Sequence, residues 1–498
     1  MNKRRLLAVG LLALPLAVVV PATAAQAAPC GRVKSDFNGD GRSDVAAGAP
    51  GDSGGEGSVS IAYDPAGAGS GATRETIAGS AVSAQGFGTA LAAGYFDGDC
   101  YADLAVGAAR SGRLVVLRGS ADGLTAAGAQ RFSRADIPGG ASHTNFGVAV
   151  TAGDFDNDGF DDVAVGAPGP MSYDGDGEPA PSDGGAVGIF TGSAGGVTAT
   201  GGQWIMEGAG GMAGVASEYD ALGAALAAGD FNADGFVDLA MGAPGELGGY
   251  FNEFGGAGGL LAARGGPEGV TGAGSVFLDQ SSWGVPGTRE EGDEFGDALA
   301  AGDVTGDGYA DLVVGSPGEA LDNLTWAGSV AILQGSGNLL NGTGSFSFTQ
   351  DSANVPGTAE RYDVFGKALS VSDLNGDGRL DVAISSPGED VGSTADTGSV
   401  TVLYTVFAPS ASAVRYLDQN SAGIPGSNET GDDFGRALTA VAGALVVGAP
   451  AEQTSAGAAT YTGAFSVLTG NLSAGTFFGP GQFPRVTAGD GGLGSSLD

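Results

Sequence analysis

Residues 146–168 read FGVAVTAGDFDNDGFDDVAVGAP, and this stretch contains the pattern that decides the fold. It begins with a Phe-Gly box, passes through an acidic loop and ends in a Gly-Ala-Pro box. The short runs of small and apolar residues on either side of the loop are typical of two β-strands joined by a turn. The same order of box, loop and box recurs along the chain, so the repeat sets the architecture.

The two boxes recur at intervals of 59 to 76 residues. The seven copies of the Gly-Ala-Pro box or a near relative start at Gly48, Gly107, Gly166, Gly242, Gly315, Ser385 and Gly448. The Phe-Gly or Leu-Gly boxes start at Phe87, Phe146, Leu222, Phe295, Phe365, Phe434 and Leu493. The first Gly-Ala-Pro box has no Phe-Gly before it and the last Leu-Gly has nothing after it, so the two ends together make one repeat. This arrangement predicts a closed ring whose break falls inside a repeat.

Each repeat contains four candidate strands bounded by Gly, Pro or Asp, and no long window has the apolar period of a helix. Four strands in each of seven repeats predict an all-β fold, a seven-bladed β-propeller formed by residues 28–498 as a single domain. A β-helix is the rival architecture, but its repeats are much shorter. Joining the N- and C-terminal half-repeats leaves no blade edge unpaired.

The composition limits what the protein can do. The 498 residues include 57 Asp and Glu against 20 Lys and Arg, a formal net charge of −37, with 96 Gly and a single His. Such an acidic chain does not bind nucleic acid, which requires clustered Lys and Arg. A hydrophobic fraction of 42% supports a folded core despite the glycine content.

The N-terminus is typical of a secretory signal peptide, residues 1–27. Lys3, Arg4 and Arg5 precede the apolar run Leu6 to Val20, and Ala25-Gln26-Ala27 fits a cleavage site. A transmembrane anchor is the alternative, but the run is short for a span and contains Pro15. We therefore expect a secreted, extracellular protein that has no membrane span and is monomeric in solution.

The two cysteines, Cys30 and Cys100, would lie in an oxidising compartment, where an even number favours a disulfide. Two free thiols are the alternative. If neighbouring loops are adjacent on one face, the disulfide would join blades 1 and 2.

The acidic loops carry the chemistry. Each has oxygen-bearing side chains at positions 1, 3, 5 and 9, a glycine at position 6 and a backbone carbonyl at position 7, which suits Ca²⁺. The predicted ligands are Asp36, Asn38, Asp40, Arg42 and Asp44; Asp154, Asp156, Asp158, Phe160 and Asp162; Asp230, Asn232, Asp234, Phe236 and Asp238; Asp303, Thr305, Asp307, Tyr309 and Asp311; and Asp373, Asn375, Asp377, Arg379 and Asp381. Solvated Asp-Gly turns are the alternative, and Mg²⁺ is disfavoured because it retains its waters. We expect about five calcium ions.

Two repeats depart from this pattern. The second has Tyr95 at position 1 and Cys100 at the glycine position, which leaves Asp97, Asp99 and Asp103 as a doubtful site. The seventh has only residues 441–445, VAGAL, with no acidic loop.

In this combination the boxes and loops resemble FG-GAP repeats, and the chain is similar to the N-terminal β-propeller of integrin α-chains, as a secreted bacterial relative. The resemblance covers nearly all of the chain after the signal peptide. It implies a seven-bladed ring with calcium in the loop between the first and second strands of a blade. In that family partners usually meet the face opposite the calcium loops.

Chain direction places the connections after each Gly-Ala-Pro box, and those before each Phe-Gly box, on that opposite face. The candidate partner-binding residues there are Tyr173, Tyr250, Phe251, Phe254 and Trp326. Aromatic side chains on long loops of a rigid scaffold are binding candidates, although they can equally pack their own loops.

These features favour an adhesion or ligand-binding module for an extracellular protein or glycan, with no catalytic residue assigned. The alternatives are a glycan-binding lectin and a phospholipase- or glycosidase-like hydrolase, since similar repeats accompany the catalytic domain of a glycosylphosphatidylinositol-cleaving phospholipase. His143 has no Ser or Cys partner at a recognisable spacing and is interpreted as a loop residue. Asn323, Asn341, Asn428 and Asn471 lie in weak glycosylation sequons.

Overall fold

The chain folds into a ring of seven four-stranded antiparallel sheets. The computed structural model describes residues 31–140, 144–169, 184–246, 256–407, 410, 412–452, 463–483 and 492–498. The first strands of successive blades contact one another in order around the ring. The prediction of an all-β, seven-bladed propeller is therefore confirmed. In the described part of the chain, no helix has the length and apolar character needed to span a membrane.

The blades follow the chain in order, and each is named by its place in that order. Blade 1 contains β1 (Val45–Ala49), β2 (Ser58–Tyr63) and β3 (Thr73–Ala78), and blade 2 contains β4 (Phe87–Gly94), β5 (Asp103–Ala108), β6 (Arg113–Arg118) and β7 (Thr125–Ser133). Blade 3 contains β8 (Val150–Gly153), β9 (Asp162–Ala167), β10 (Ala186–Thr191) and β11 (Thr198–Ile205), and blade 4 contains β12 (Leu226–Gly229), β13 (Asp238–Ala243), β14 (Gly259–Arg264) and β15 (Thr271–Leu278). Blade 5 contains β16 (Ala298–Gly302), β17 (Asp311–Ser316), β18 (Ser329–Gln334) and β19 (Asn341–Phe348), and blade 6 contains β20 (Leu369–Ser372), β21 (Asp381–Ser386), β22 (Ser399–Leu403) and β23 (Val414–Leu417). Blade 7 contains β24 (Leu438–Val441), β25 (Ala444–Ala449), β26 (Ala464–Thr469) and β27 (Ala474–Phe478), and β28 (Ser496–Leu497) completes blade 1.

Helical structure is confined to short turns. The two α-helical segments are α1 (Asp52–Gly55) and α2 (Pro65–Ala68), and the 3₁₀ turns in the described residues are Gly69–Gly71, Gly79–Val82, Ala109–Ser111, Arg134–Asp136 and Pro480–Gln482.

The second strand of each blade is the most deeply buried. Every residue of β9, β13 and β17 is buried, because each blade is covered by a neighbour on both faces. These strands therefore consist of small and apolar residues rather than alternating with polar ones. The hydrophobic core is divided into seven clusters, and each lies between two adjacent blades.

The two sequence boxes form the contact between adjacent blades, which we call the seam. Phe295 begins blade 5, is buried, and bridges to Gly258 at the start of the third strand of blade 4. The next residue, Gly296, donates its amide to the Gly315 carbonyl of its own blade at 3.0 Å. A Cβ on Gly242 of blade 4 would lie 2.0 Å from the Gly296 carbonyl oxygen, so the close approach of the blades requires glycine. The boxes that define the repeat thus serve packing.

The C-terminus closes the ring. Leu497 pairs with Ala47 and Ser496 with Gly48, so β28 supplies the innermost strand of blade 1. Asp498 exchanges backbone hydrogen bonds with Ala46 at 2.7 and 3.0 Å. The prediction that the two half-repeats combine into one blade is confirmed.

Antiparallel blades separate their connections onto two faces. The turn before the second strand of each blade lies on one face, which we call the loop face. The segments after the Gly-Ala-Pro boxes and before the Phe-Gly boxes lie at the other ends of the strands, on the opposite face.

Candidate functional site

Five loops on the loop face share one internal hydrogen-bond pattern. In blade 3, Asp154 accepts the Asp158 amide at 3.0 Å and the Gly159 amide at 3.0 Å, while Asp156 accepts the Asp158 amide at 3.0 Å. The Phe160 amide donates to Asp158 at 2.9 Å. The position 1 bonds recur at Asp36, Asp230, Asp303 and Asp373. The loop backbone therefore wraps around the side chains at positions 1, 3 and 5.

The glycine at position 6 takes a left-handed backbone conformation. Its φ is +94° at Gly159, +89° at Gly235 and +93° at Gly308. A side chain there would be strained, which explains why glycine recurs at this position.

The blade 3 loop gathers three carboxylates. One oxygen from each of Asp154, Asp156 and Asp158 lies within 4.8 Å of the other two, and all three residues are half-buried. Burial, together with the charges of the other two carboxylates, raises the pKa of Asp154 to about 6. The other four loops have an amide or hydroxyl at position 3, from Asn38, Asn232, Thr305 and Asn375. These oxygen donors have the chemistry of a calcium-binding loop, and their spacing suits a single ion.

The aspartate at position 9 differs from the others. Asp238 is buried, and its two carboxylate oxygens accept the Phe231 amide at 2.9 Å and the Gly265 amide at 3.0 Å. Burial raises its pKa to about 7. Asp44, Asp162 and Asp311 are buried in the same way and accept amides from the same two parts of their blades. Asp381 is also buried, but it accepts two amides of its own loop, from Leu374 and Asn375. Position 9 thus holds the loop against its own blade.

The residues at position 7 were predicted to offer carbonyls. Arg42, Phe160, Phe236, Tyr309 and Arg379 each donate their own amide to the carboxylate at position 5, which fixes them at the mouth of the loop. Ligation by their carbonyls remains a prediction, as does ligation by the side chains.

The doubtful loop of blade 2 contains a cationic side chain of the protein itself. An Arg118 guanidinium nitrogen lies 3.3 Å from a carboxylate oxygen of Asp97, and Asp97 is buried. Asp99 donates its amide to Asp97 at 3.1 Å and accepts the Tyr101 amide at 3.0 Å, while Asp103 keeps the two amide bonds of position 9. The sequence pattern did not reveal Arg118, which comes from the third strand of the blade.

The remaining positions of this loop are structural. Tyr95 stands at position 1 and donates its hydroxyl to the Val33 carbonyl at 2.7 Å. Cys100 takes the left-handed conformation of the missing glycine, with φ +78°, and is disulfide-bonded. Cys30, the other cysteine of the sequence, lies outside the described residues.

In blade 7 the loop is reduced to a tight hairpin turn. Val441 pairs directly with Ala444, and Ala442 and Gly443 between them have φ of +47° and +75°. This turn has no side-chain oxygen to offer.

Two exposed aromatic side chains that sequence reasoning missed lie in connections between blades. Tyr362 is on the opposite face, where its carbonyl lies against Gly388, whereas the backbone of Trp283 lies against Gly342 on the outer rim, toward the loop face. Trp283 is 82% exposed and Tyr362 is 60% exposed. The predicted Trp326 is half-buried. Its carbonyl accepts the amide of Val364, two residues after Tyr362, at 2.9 Å. The other predicted residues, Tyr173, Tyr250, Phe251 and Phe254, lie outside the described residues, as does His143.

Comparing the repeats would have found both exposed aromatics. Counting back from the Phe-Gly or Leu-Gly box, the residues equivalent to Trp283 are Gly210, Ala353 and Ala422. The residues equivalent to Tyr362 are Tyr219, Gly292 and Gly431. The blade architecture therefore does not require a large side chain at either position.

Known proteins share these repeats. The family model described as FG-GAP repeat matches residues 34–62, 146–190, 222–278, 295–333 and 365–403. The model described as FG-GAP-like repeat matches residues 95–165.

Similar curated proteins fall into two groups. Phosphatidylinositol-glycan-specific phospholipase D of Rattus norvegicus is 33% identical over 177 residues, which cover 34% of this chain and 19% of the phospholipase. Integrin alpha-5 of Xenopus laevis is 30% identical over 241 residues, 47% of this chain and 20% of the integrin. Integrin alpha-PS2 of Drosophila melanogaster is 31% identical over 240 residues, 46% of this chain and 15% of the integrin. The matched stretches therefore span at most a fifth of each relative.

Proposed function

This chain belongs to the FG-GAP repeat family, and from that premise we propose that it is a secreted calcium-binding propeller that binds an extracellular protein or glycan through its opposite face. The similarity to integrin α-chains supports a binding role. Export is supported by the signal-peptide pattern of residues 1–27, which lie outside the described residues, and the mature domain would be residues 28–498.

Calcium is supported by the five loops that share a register. In each, backbone amides orient the carboxylate at position 1 toward the loop interior, beside the oxygen donors of positions 3 and 5. The chain has a formal charge of −37, so bound cations would also reduce repulsion between neighbouring acids. We propose that calcium stiffens the loop face and leaves the opposite face to contact the partner.

The observation that carries the binding proposal is Tyr362, an exposed aromatic side chain on the opposite face at the seam between blades 5 and 6. Trp283, at the seam between blades 4 and 5, is a second exposed aromatic, but it lies on the outer rim toward the loop face. Large aromatic side chains cost little conformational entropy when they are covered by a partner, and they dominate binding energies at many interfaces. The positions equivalent to Tyr362 hold Gly in two repeats and Tyr219 in a third, so the blade architecture does not require a large side chain there.

Tyr362 also has a backbone conformation that glycine would prefer. Its φ is +70°, and the equivalent Gly292 and Gly431 have φ of +95° and +80°. A non-glycine residue in this region costs about 1 kcal/mol or more. A strained, exposed tyrosine is a reasonable candidate for a functional side chain.

The experiment uses substitutions that other repeats already contain. Tyr362→Gly is expected to leave the melting temperature unchanged or slightly higher and to weaken partner binding at least tenfold, whereas Trp283→Ala, on the outer rim, is expected to change binding less. Binding is measured on a glycan array and on a panel of extracellular matrix proteins, with calcium and with chelator. Phe407→Ala is the control, since Phe407 is 52% exposed but follows a third strand and lies on the loop face. Unchanged binding by Tyr362→Gly would refute this assignment of the face.

Hydrolysis is the second candidate, because phosphatidylinositol-glycan-specific phospholipase D is among the similar proteins. The test is turnover by the purified protein on phospholipid and glycoside panels, with and without calcium. Turnover that copurifies with the protein would replace the binding-only proposal.

A further inference from the structure

Three seams on the opposite face contain the same trio of polar residues, all of them buried except the half-buried Glu319. A glutamine just after the fourth strand of one blade donates to a glutamate just after the Gly-Ala-Pro box of the next. At the seam between blades 4 and 5 this bond joins Gln280 Nε2 and Glu319 Oε2 at 2.8 Å, and Gln350 with Glu389 and Gln419 with Glu452 repeat it. An aspartate before the Phe-Gly box completes each trio, as Asp293, Asp363 and Asp432.

The seam between blades 3 and 4 has a glutamate in place of the glutamine. Glu207 lies against the backbone of Gly214, as Gln280 lies against the equivalent Gly287. Its trio partners are Asp220 and Glu246, so this seam brings three carboxyl groups together. One oxygen from each residue lies within 4.8 Å of the other two.

These carboxyl groups are enclosed. Glu207 is 5% exposed, Asp220 1% and Glu246 7%. Among the residues that the structure describes, no donor has hydrogen-bonding geometry toward either carboxylate oxygen of Glu207, although the nearby Val215 amide lowers its pKa, and Oε2 of Glu246 also has no partner. The amide Oε1 atoms of the three glutamines lack partners as well, so an unpartnered oxygen is common to these seams. At the seam between blades 3 and 4 the carboxylates of Glu207 and Glu246 face each other. At the three other seams a glutamine amide donates to the glutamate instead.

Within the described part of the chain, no cationic side chain forms an ion pair with this cluster, in which the side chains of Asp220 and Glu246 share a hydrogen bond. Burial, followed by the Glu246 carboxylate, raises the pKa of Glu207 to about 7, and burial likewise raises the pKa of Asp220 and Glu246. Arg289 lowers the pKa of Glu246 only weakly, and its guanidinium lies 3.2 Å from Asp279. A buried group of acids without a counterion is costly unless protons or a cation neutralise it.

We propose that Glu207, Asp220 and Glu246 form a binding site for one hard divalent cation, Ca²⁺ or Mn²⁺, in the seam between blades 3 and 4. Carboxylates are the ligands that such ions take, and oxygens around one Ca²⁺ at about 2.3–2.6 Å lie at most about 5 Å apart. The ion would bridge the two blades, since Glu207 belongs to blade 3 and Glu246 to blade 4. This site is separate from the five loops and lies on the other face of the ring.

The test is a count of bound ions with the matched substitution Glu207→Gln, which gives this seam the trio of the other three. Chelated wild type and variant are dialysed at pH 8 against millimolar Ca²⁺, and separately Mn²⁺, and bound metal is measured by mass spectrometry. We expect the variant to fold, because its seam copies three others, and to bind one ion fewer than wild type. Glu246→Gln is expected to lose the same ion.

The control is Glu268→Gln, which removes one charge from an exposed position and should leave the count unchanged. Equal counts for wild type, Glu207→Gln and Glu246→Gln with both metals would overturn the proposal and show that the cluster is neutralised by protons. The test is independent of the loops: if these bind no calcium, wild type should still bind one ion and Glu207→Gln none.

Discussion

The loops of blade 2 and blade 3 are two versions of one turn. Both keep the aspartate at position 9, and Asp103 and Asp162 each accept two backbone amides between 2.9 and 3.2 Å. They differ in what lies at the mouth of the loop. Blade 3 gathers three carboxylates there, whereas blade 2 pairs Asp97 with Arg118 and replaces the glycine with a disulfide-bonded Cys100. The acidic motif therefore anchors the loop in both blades, and the cation binding that we propose for blade 3 depends on other positions of the same motif.

Removing calcium should have the largest effect on stability. The effect should come only from the loops that, like that of blade 3, have the full set of oxygen donors. When free calcium is a hundredfold above its Kd, each site contributes about 2.7 kcal/mol. With five sites we expect chelation to lower the melting temperature by roughly 10 °C or more, measured by scanning calorimetry.

The loop comparison is tested by one substitution in each blade. Asp154→Asn is expected to remove one bound ion, because all five loops have aspartate at position 1, whereas Asp97→Asn in blade 2 should remove none. A loss of one ion from Asp97→Asn would mean that blade 2 also binds calcium, which would contradict the assignment of Arg118 as its cation.

Removing the anchoring aspartate should be the next largest effect, and it should be the same in both loops. Asp162→Ala and Asp103→Ala each leave two buried amides unpaired, at a cost of about 1–3 kcal/mol per amide. We expect the free energy of unfolding, measured with denaturant, to fall by a similar amount for both, in calcium and in chelator alike. Asp162→Asn and Asp103→Asn are the milder controls, since each keeps one acceptor. A cost that appears only in calcium would show that position 9 acts mainly as a ligand.

A pH scan in chelator measures how the buried acids of the seams affect the free energy of unfolding. This contribution is present whichever loop is altered. Burial is the largest cause that raises the pKa of Asp293 and Asp432 to about 7 and that of Asp363 to about 6. In the unfolded chain these groups ionise near pH 4, so at intermediate pH the folded state binds more protons. The free energy of unfolding should therefore fall as pH rises from 5 to 8, by an amount seen as a few degrees in the melting temperature. Asp293→Asn should reduce this slope, and an unchanged slope would show that other groups control it.

The smallest effect is expected from the cationic side chain in blade 2. Arg118→Thr installs the residue that blade 3 has at the same place, Thr191, and leaves Asp97 without its ion pair. Because Arg118 is partly exposed, the expected loss of stability is about 1 kcal/mol. No ion should be gained, since Tyr95 still occupies position 1. A gain of one ion on dialysis would show that Arg118 alone excludes calcium from this loop.

The ring of seven blades could be predicted from the sequence because the boxes that mark each repeat also form the contacts between blades. The glycine of one box faces the glycine carbonyl of another at six of the seven seams, and Ser385 takes its place at the seventh, so the motifs themselves encode how blades meet. The loop side chains could be assigned to positions for the same reason. What the sequence did not reveal comes from contacts between distant segments. Arg118 reaches Asp97 from another strand, and Glu207 meets Glu246 only because adjacent blades pack together. Trp283 could have been found by comparing repeats, since its equivalents are all small.

The closure of the ring by β28 has a consequence for the order of folding. The Ser35 hydroxyl donates to the Asp498 carboxylate at 3.2 Å across 463 positions of sequence, and the Ala93 amide of blade 2 donates to the same oxygen at 2.9 Å. During synthesis, blade 1 therefore remains a three-stranded sheet with an open edge until the last residues emerge. Contacts of such sequence separation form late and slowly, because a long loop must close before they are gained. We therefore expect the seam between the first and last blades to form only after β28 and Asp498 have been synthesised.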